Sequence, residues 1–355
     1  MITIPDGTIV DLVDVARKAP SADNMQPICF RWDGHRLVIG YDRERVANQT
    51  FSPSAPATLL ALGSTLALLE DTATAWGLEP RWEPAANLPD ETMTYGALRF
   101  HPNSPSTPRH SMADSPIRHT NRGSYTRKPL PEPVLSDIKG ANLGNARVKV
   151  ITQPEGIGDI ALGVRRASEL RFRIREVHEW LGHSLRFSRD EVAAGDGLDV
   201  KTLGLPPGGS LFLRLIRDWR RMRILNAIGG YKLVSAIDSA PVKVAPAMVA
   251  IIGERSPAGA CEAGRLLHRV WQTLNHAGLA VHPYYVISDQ LNRWREGQLP
   301  THLESEAQTL AAQAQQTFEL GEQESLHMLL RTGWPKREAL TSQRLPVSRL
   351  LVTEL

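Results

Sequence analysis

Three short segments hold the side chains whose types and spacing suit chemistry on an anion. In the run RHTNR, Arg118, Thr120 and Arg122 stand at i, i+2 and i+4. Two guanidinium forks and a hydroxyl at the entry to a helix, near free backbone N–H groups, make a phosphate site with charge-assisted bonds. A solvated arginine cluster is the commoner meaning of such a run. In APSADNMQP, residues 19–27, Pro20 halts the preceding helix, and Pro27 is expected to force an extended residue before the next strand. The small side chains of Ser21 and Ala22 let a planar ligand approach the backbone, and Asn24 and Gln26 offer both donors and acceptors. The same residues also make a well-formed turn. Near the C-terminal end, TGWP is followed by Ser342 and Arg344, an arginine beside a hydroxyl and so a second half-clamp for an anion.

Periodicity indicates the elements that must position these segments. Residues 9–19 read as a short helix ending at Pro20, and ICFRWDG and RLVIGYD as two strands joined at Asp33 and Gly34. A long helix follows, with Leu59, Leu62, Leu66 and Leu69 stepping by three and four and a C-cap at Gly77. About two hundred residues later the grammar returns: a buried strand, APAMVAIIGE, leads into PAGACEAGRLLHRVWQTLNHAGL. Aligned without gaps, Pro56, Ala57, Gly63, Leu66, Thr72, Gly77 and Leu78 fall opposite Pro257, Ala258, Gly264, Leu267, Thr273, Gly278 and Leu279. This is what a duplicated strand–helix–strand unit leaves behind, although any two core helices share part of such a pattern.

Residues 101–135, rich in Pro, Ser and Arg, read as a linker running into a helix start at PEPVLSDI. The expected division is a first half over 1–100, the linker and start of a second half over 101–163, a helical lid-like insertion over 164–235, and the rest of the second half over 236–355. The insertion has two helical stretches around the irregular AAGDGLDVKTLGLPPGGS.

Composition excludes several classes. Of 355 residues, 42% are hydrophobic and 22% charged, which sets aside disordered and collagen-like chains. Cys29 and Cys261 are too few for a disulfide framework and fit a reducing compartment. A net charge of +3, without a basic tail, does not call for nucleic acid. The start MITIPDGTIVDLVD lacks a basic n-region, and the longest apolar run is too short to span a bilayer. The expectation is a cytoplasmic protein with a small-molecule substrate, no nucleic-acid partner and no membrane partner.

Together the three segments resemble the FMN-dependent nitroreductase superfamily, whose members carry Arg-Arg-Ser-x-Arg-x-Phe, Ala-Pro-Ser-x-x-Asn-x-Gln-Pro and a closing Gly-Tyr-Pro followed by Arg-Pro-Leu. His119 and Thr120 depart from the first pattern. The segment order also departs, because the Ala-Pro-Ser segment comes before the arginine segment. With the helix echo, this is similar to the fused, pseudo-dimeric Acg-like branch. The resemblance implies an α+β, nitroreductase-like fold with a largely antiparallel central sheet and long buried helices, duplicated in one chain. It implies one FMN between the halves, with NAD(P)H a possible electron donor, and leaves further homo-oligomerisation open. By motif, Arg118, Thr120, Arg122, Ser342 and Arg344 would hold the phosphate and ribityl chain. Pro20, Ser21, Ala22, Asn24 and Gln26 would line the isoalloxazine, with Pro283, Tyr284 and Tyr285 near its N5. No catalytic residue is assigned. The implied activity is hydride transfer between NAD(P)H or an organic substrate and a nitro, quinone or enone acceptor. The alternatives are a flavin-storage protein with a lid-covered ring, or a biosynthetic dehydrogenase or dehalogenase.

Other signals carry less. HEWLGH lacks metalloprotease spacing, and no metal is assigned; His178 and Trp180 are instead candidates to line a lid. GIGDIALG reads as a turn, and RLIRDWRRMR as one basic amphipathic helix with a solvated face.

Overall fold

The computed structural model describes residues 4–46, 51–102 and 118–353. Its first half begins with α1 (Asp6–Ala16) and the hairpin β1 (Ile28–Trp32) and β2 (Arg36–Tyr41). The turn forms because Asp33 Oδ1 accepts from the His35 and Arg36 amides while Gly34 takes φ +84°. Next come α2 (Pro56–Ala75), β3 (Leu78–Pro84) and β4 (Thr94–Pro102). The second half opens with α3 (Glu132–Lys139), β5 (Asn142–Leu143) and β6 (Ala146–Ile151).

A helical insertion follows. It comprises α4 (Pro154–Arg171), α5 (Arg175–Ser184), β7 (Leu185–Arg186), α6 (Arg189–Ala193), β8 (Leu198–Asp199), α7 (Gly209–Ile216), α8 (Trp219–Ala227) and α9 (Gly230–Lys243). The core then resumes with β9 (Ala247–Glu254), α10 (Pro257–His276) and β10 (Ala280–Tyr284). Two helices, α11 (Val286–Arg295) and α12 (Glu304–Phe318), precede β11 (Glu324–Gly333), and β12 (Leu351–Thr353) closes the described chain.

The α+β class, antiparallel sheets, long buried helices and duplication are all present. One sheet has the order β12-β1-β2-β4-β3 and the other β5-β6-β9-β11-β10. Position by position these orders superpose β1 on β6, β2 on β9, β4 on β11 and β3 on β10. In each half a 20-residue helix with proline in its first turn joins the equivalent strands. The outermost position differs: β12, from beyond the second half, pairs in parallel with β1, Phe30 opposite Leu351, so the chain's last strand completes the first half's sheet. Helix α2 is apolar over most of its surface, while α10 is amphipathic and turns an apolar and small-residue face with Ala260, Ala263, Gly264 and Leu267 inward. They pack on each other between the sheets, which buries the apolar surface of α2 and the inward face of α10.

Three expectations need correction. GIGDIALG is not a turn but part of α4, where Ile157, Ile160, Ala161 and Val164 share one buried face; glycine spacing had hidden a regular 3.6-residue period. The basic run 214–223 is two helices, broken where Asp218 caps α8 by accepting from the Arg220 amide. The first helix starts and stops three residues earlier than expected, leaving Arg17 to Ala19 as a turn. The expected linker falls mostly on 103–117, outside the described residues. Positions 164 and 235 lie inside α4, which begins at Pro154, and α9, which ends at Lys243. No helix among the described residues is long and apolar enough to cross a membrane.

Candidate functional site

The three segments converge between the halves. The turn after α1 bends through Asp23, Asn24 and Gln26, all at positive φ (47°, 58° and 51°). Gln26 is therefore left-handed rather than extended, despite Pro27. Its surroundings over-determine that shape: the amide meets Ser21 Oγ at 3.0 Å, Oε1 accepts from the Leu345 amide at 3.0 Å, and Nε2 donates to Gly195 O at 2.9 Å. Asn24 Nδ2 donates to Gly197 O and Gln343 O at 2.9 and 3.0 Å. Both side-chain amides, expected to face a ligand ring, thus tie this loop to the insertion and to the C-terminal segment. Asn24 Oδ1 is buried without a partner.

The arginine segment runs along α10 and β10. The Asn121 amide donates to Val281 O at 2.8 Å, the His119 amide to Asn275 Oδ1 at 3.1 Å, and Trp271 Nε1 to His119 O at 3.0 Å. Arg118 stacks over Trp271, 4.3 Å from guanidinium to ring, and Nη2 donates to Lys18 O at 3.1 Å, just before Pro20. Its Nε and Nη1 are buried with no partner. Among the described residues, Arg118, Arg122 and Arg344 make no ion pair. Burial, then the charges of Arg344 and Arg122, pushes Arg118 down to about 9. Burial also pushes Arg344 down to about 10, with Arg17 adding to the effect, and lowers Arg122.

Three guanidinium groups within electrostatic reach, with Asp23 the one carboxylate acting on Arg122, form a strongly positive, poorly solvated spot. Such a spot is complementary to a group of more than one negative charge, and a phosphate monoester meets that need. The orphaned Arg118 nitrogens fit phosphate oxygens. Thr120 and Ser342 are half-buried beside these arginines.

Tyr284 joins this group and Tyr285 does not. Tyr284 is buried, lies 4.3 Å from the His282 ring, and its hydroxyl, 3.4 Å from Asp238 O, is pushed up mainly by burial, with Arg122 among the charges acting on it. Tyr285 turns toward α11, where its hydroxyl accepts from Asn292 Nδ2 at 3.3 Å. Pro283 sits just before Tyr284 in β10, opposite Leu330. Trp180 donates to Asp23 Oδ2 at 2.9 Å, bringing α5 onto the loop, whereas His178 faces away and meets Ile216 O at 2.7 Å. Two cavities flank the loop. One of about 10 Å³ includes Ala22, Phe51 and Trp180, and one of about 20 Å³ includes Pro20, Ser21 and Gln26. Each has room for roughly one water.

Sequence reasoning missed three residues here. Arg331 on β11, 2% exposed, donates to Gly123 O at 2.6 Å, stacks 4.1 Å over Tyr125 and leaves Nε unpartnered. His282, its cross-strand neighbour, is held well below its ordinary value by burial, Arg331 and Arg122. His268 on α10 has both ring nitrogens buried and unpartnered, and burial with the Arg118 charge pushes it down to about 3. A lone Arg in the apolar run LHMLLRTG was the one signal available.

No protein-family model matches the chain, and no curated protein matches it. Solved structures similar to it include the FMN and NADPH-dependent nitroreductase NfnB from sphigopyxis sp. strain HMH, at 16% identity and TM-score 0.41, covering 69% of this chain and 100% of that one. The FMN-dependent nitroreductase NfnB from Mycobacterium smegmatis in complex with NADPH matches at 13% identity and TM-score 0.36, covering 67% and 90%. A nitroreductase-like family protein from Bacillus cereus matches at 10% identity and TM-score 0.36, covering 68% and 94%.

Proposed function

We propose that the chain binds one FMN between its halves and acts as an FMN-dependent oxidoreductase. It would take hydride from NAD(P)H or an organic donor and pass it to a small conjugated acceptor of nitro, quinone or enone type. The observation that carries this reading is the half-buried trio Arg118, Arg122 and Arg344, which make no ion pair among the described residues, with two buried Arg118 nitrogens left without partners. Bound flavin supplies reversible hydride exchange.

The chain's residues supply the rest. Arg118, Arg344 and Arg122 bind the phosphate, and Trp271 fixes the plane of the Arg118 fork. Thr120 and Ser342 are hydroxyls within the same segments. Pro20, Ser21 and Ala22 present a low-profile wall for the ring, whose shape Asn24 and Gln26 hold from behind. Tyr284 is buried and His282 half-buried beside the arginines, and both are held neutral, so they add no charge that would compete with the arginines.

A specific observation favours the second reading, a flavin-storage protein. Asn24 and Gln26 bind Gly197 O and Gly195 O by buried hydrogen bonds, and Trp180 binds Asp23, so the insertion is tied down over the loop. An anaerobic titration of FMN-loaded protein with NADPH and then NADH separates the two. Bleaching of the flavin absorbance at one flavin per chain supports the oxidoreductase. Bleaching by dithionite but by neither nicotinamide supports the covered, non-catalytic reading.

A further inference from the structure

The outer face of the insertion carries a surface that the flavin reading does not use. Three consecutive helices each expose an aliphatic pair four residues apart, a spacing that puts each pair on one helix face. These are Leu211 and Leu215 on α7 (74% and 52% exposed), Ile224 and Ile228 at and just past the end of α8 (69% and 82%), and Leu233 and Ile237 on α9 (60% and 46%). Their inner faces are already satisfied, since Ile216, Met222 and Val234 pack with Phe172 in a separate small core. The exposed pairs are therefore surplus to folding, and so dense an apolar exposure marks an interaction surface.

Charge identifies the partner. Residues 209–244 hold seven Lys and Arg against two Asp, a net +5, whereas the entire chain is +3. Both acids have local partners: Asp218 caps α8 through the Arg220 amide, and Asp238 accepts from Ser168 Oγ at 2.5 Å. The arginines interleaved with the aliphatics, Arg214, Arg217, Arg220, Arg221 and Arg223, are all exposed. A second copy docked through the same face would set these arginines against each other. A nucleic-acid backbone would leave the aliphatic pairs in water. An anionic bilayer satisfies both features, with headgroups for the guanidinium groups and the acyl boundary for Leu and Ile.

We propose that the α7–α9 face docks the protein peripherally onto an anionic lipid surface. The full-length protein is tested by co-sedimentation with vesicles of phosphatidylcholine, with and without phosphatidylglycerol. Partitioning is expected onto the phosphatidylglycerol vesicles and not onto pure phosphatidylcholine. High salt and the double variant Ile224→Asp, Ile228→Asp are each expected to reduce it by about tenfold or more. If that variant fails to fold, Arg220→Gln, Arg221→Gln, Arg223→Gln must show the same loss. No partitioning of the native protein at low salt, equal binding to neutral vesicles, or native-level binding by a folded variant overturns the proposal. So does sedimentation equilibrium showing a dimer that the double variant splits while vesicles bind neither form. Because flavin need not be bound, the result is independent of the reading of the arginine site.

Discussion

Gly63 and Gly264, 201 positions apart, meet where α2 crosses α10. A Cβ on Gly63 would lie 1.9 Å from Cys261 O, and one on Gly264 would lie 2.2 Å from Leu60 O and 3.0 Å from the Gly63 Cα. The two glycines occupy equivalent positions of the repeated unit, so the crossing lies on the axis relating the halves. Ser64 Oγ donating to Gly264 O at 2.9 Å and Arg265 paired with Glu70 at 2.9 Å fix it further.

Gly63→Ala is therefore expected to force the central helices apart. The obstructing atoms are backbone and cannot rotate away, so the loss is expected at about 3 kcal/mol or more, beyond the helix-propensity gain of about 1 kcal/mol from alanine. Urea unfolding of Gly63→Ala and Gly264→Ala measures it. Gly158, whose Cβ would meet nothing within 4 Å, serves as control and should tolerate alanine.

Arg118→Met should separate stability from binding. Methionine keeps the apolar stem against Trp271 and removes a buried charge without a carboxylate partner, so the ligand-free protein is expected to melt higher. Its affinity for FMN should fall by roughly 10- to 150-fold, the equivalent of about 1.5 to 3 kcal/mol for charge-assisted bonds. A lower melting temperature together with undiminished FMN binding would make Arg118 structural.

His268 gives the fold a pH dependence of definite sign. Its folded value of about 3 lies below the ordinary histidine value, so on acidification the unfolded chain takes up the proton first. The stabilisation from keeping it neutral is fully present above about pH 6.5 and is lost as pH falls toward about 3. By pH 4 this single group should cost roughly 3 kcal/mol. His327, pushed down to about 4 by burial, adds a smaller loss of the same sign. Thermal melts of His268→Phe between pH 7 and 4 should show a flatter decline than the native protein.

The insertion's attachment is testable at Gln26. Gln26→Ala removes the bonds to Gly195 O and from the Leu345 amide, leaving both without that partner. A loss of about 2 kcal/mol in local stability is expected. Limited proteolysis should then cut first within 189–205, at a rate tens of times the native one.

The repeated unit was legible because α2 and α10 keep the same proline start, glycine crossing point and Gly-Leu exit, each with a local physical cause. The arginine and Ala-Pro-Ser segments were legible as chemistry from residue type alone. What the sequence hid was non-local. Nothing near Asn24 or Gln26 indicates that their amides would be satisfied by carbonyls some 170 residues away in the insertion. The parallel pairing of β12 with β1 links residues more than 300 apart and has no local signature. Arg331 and His282 were invisible because a buried cation beside a neutral imidazole reads, in sequence, as an ordinary strand position.

The three arginines are expected to hold a phosphate monoester. This is tested most directly by titrating the ligand-free protein with FMN and with riboflavin, which lacks the phosphate, following flavin fluorescence. One FMN should bind per chain, with riboflavin roughly 100-fold weaker or worse, and Arg118→Met, Arg344→Met should erase the difference. Equal affinity for both flavins, or no binding of FMN, would contradict the account.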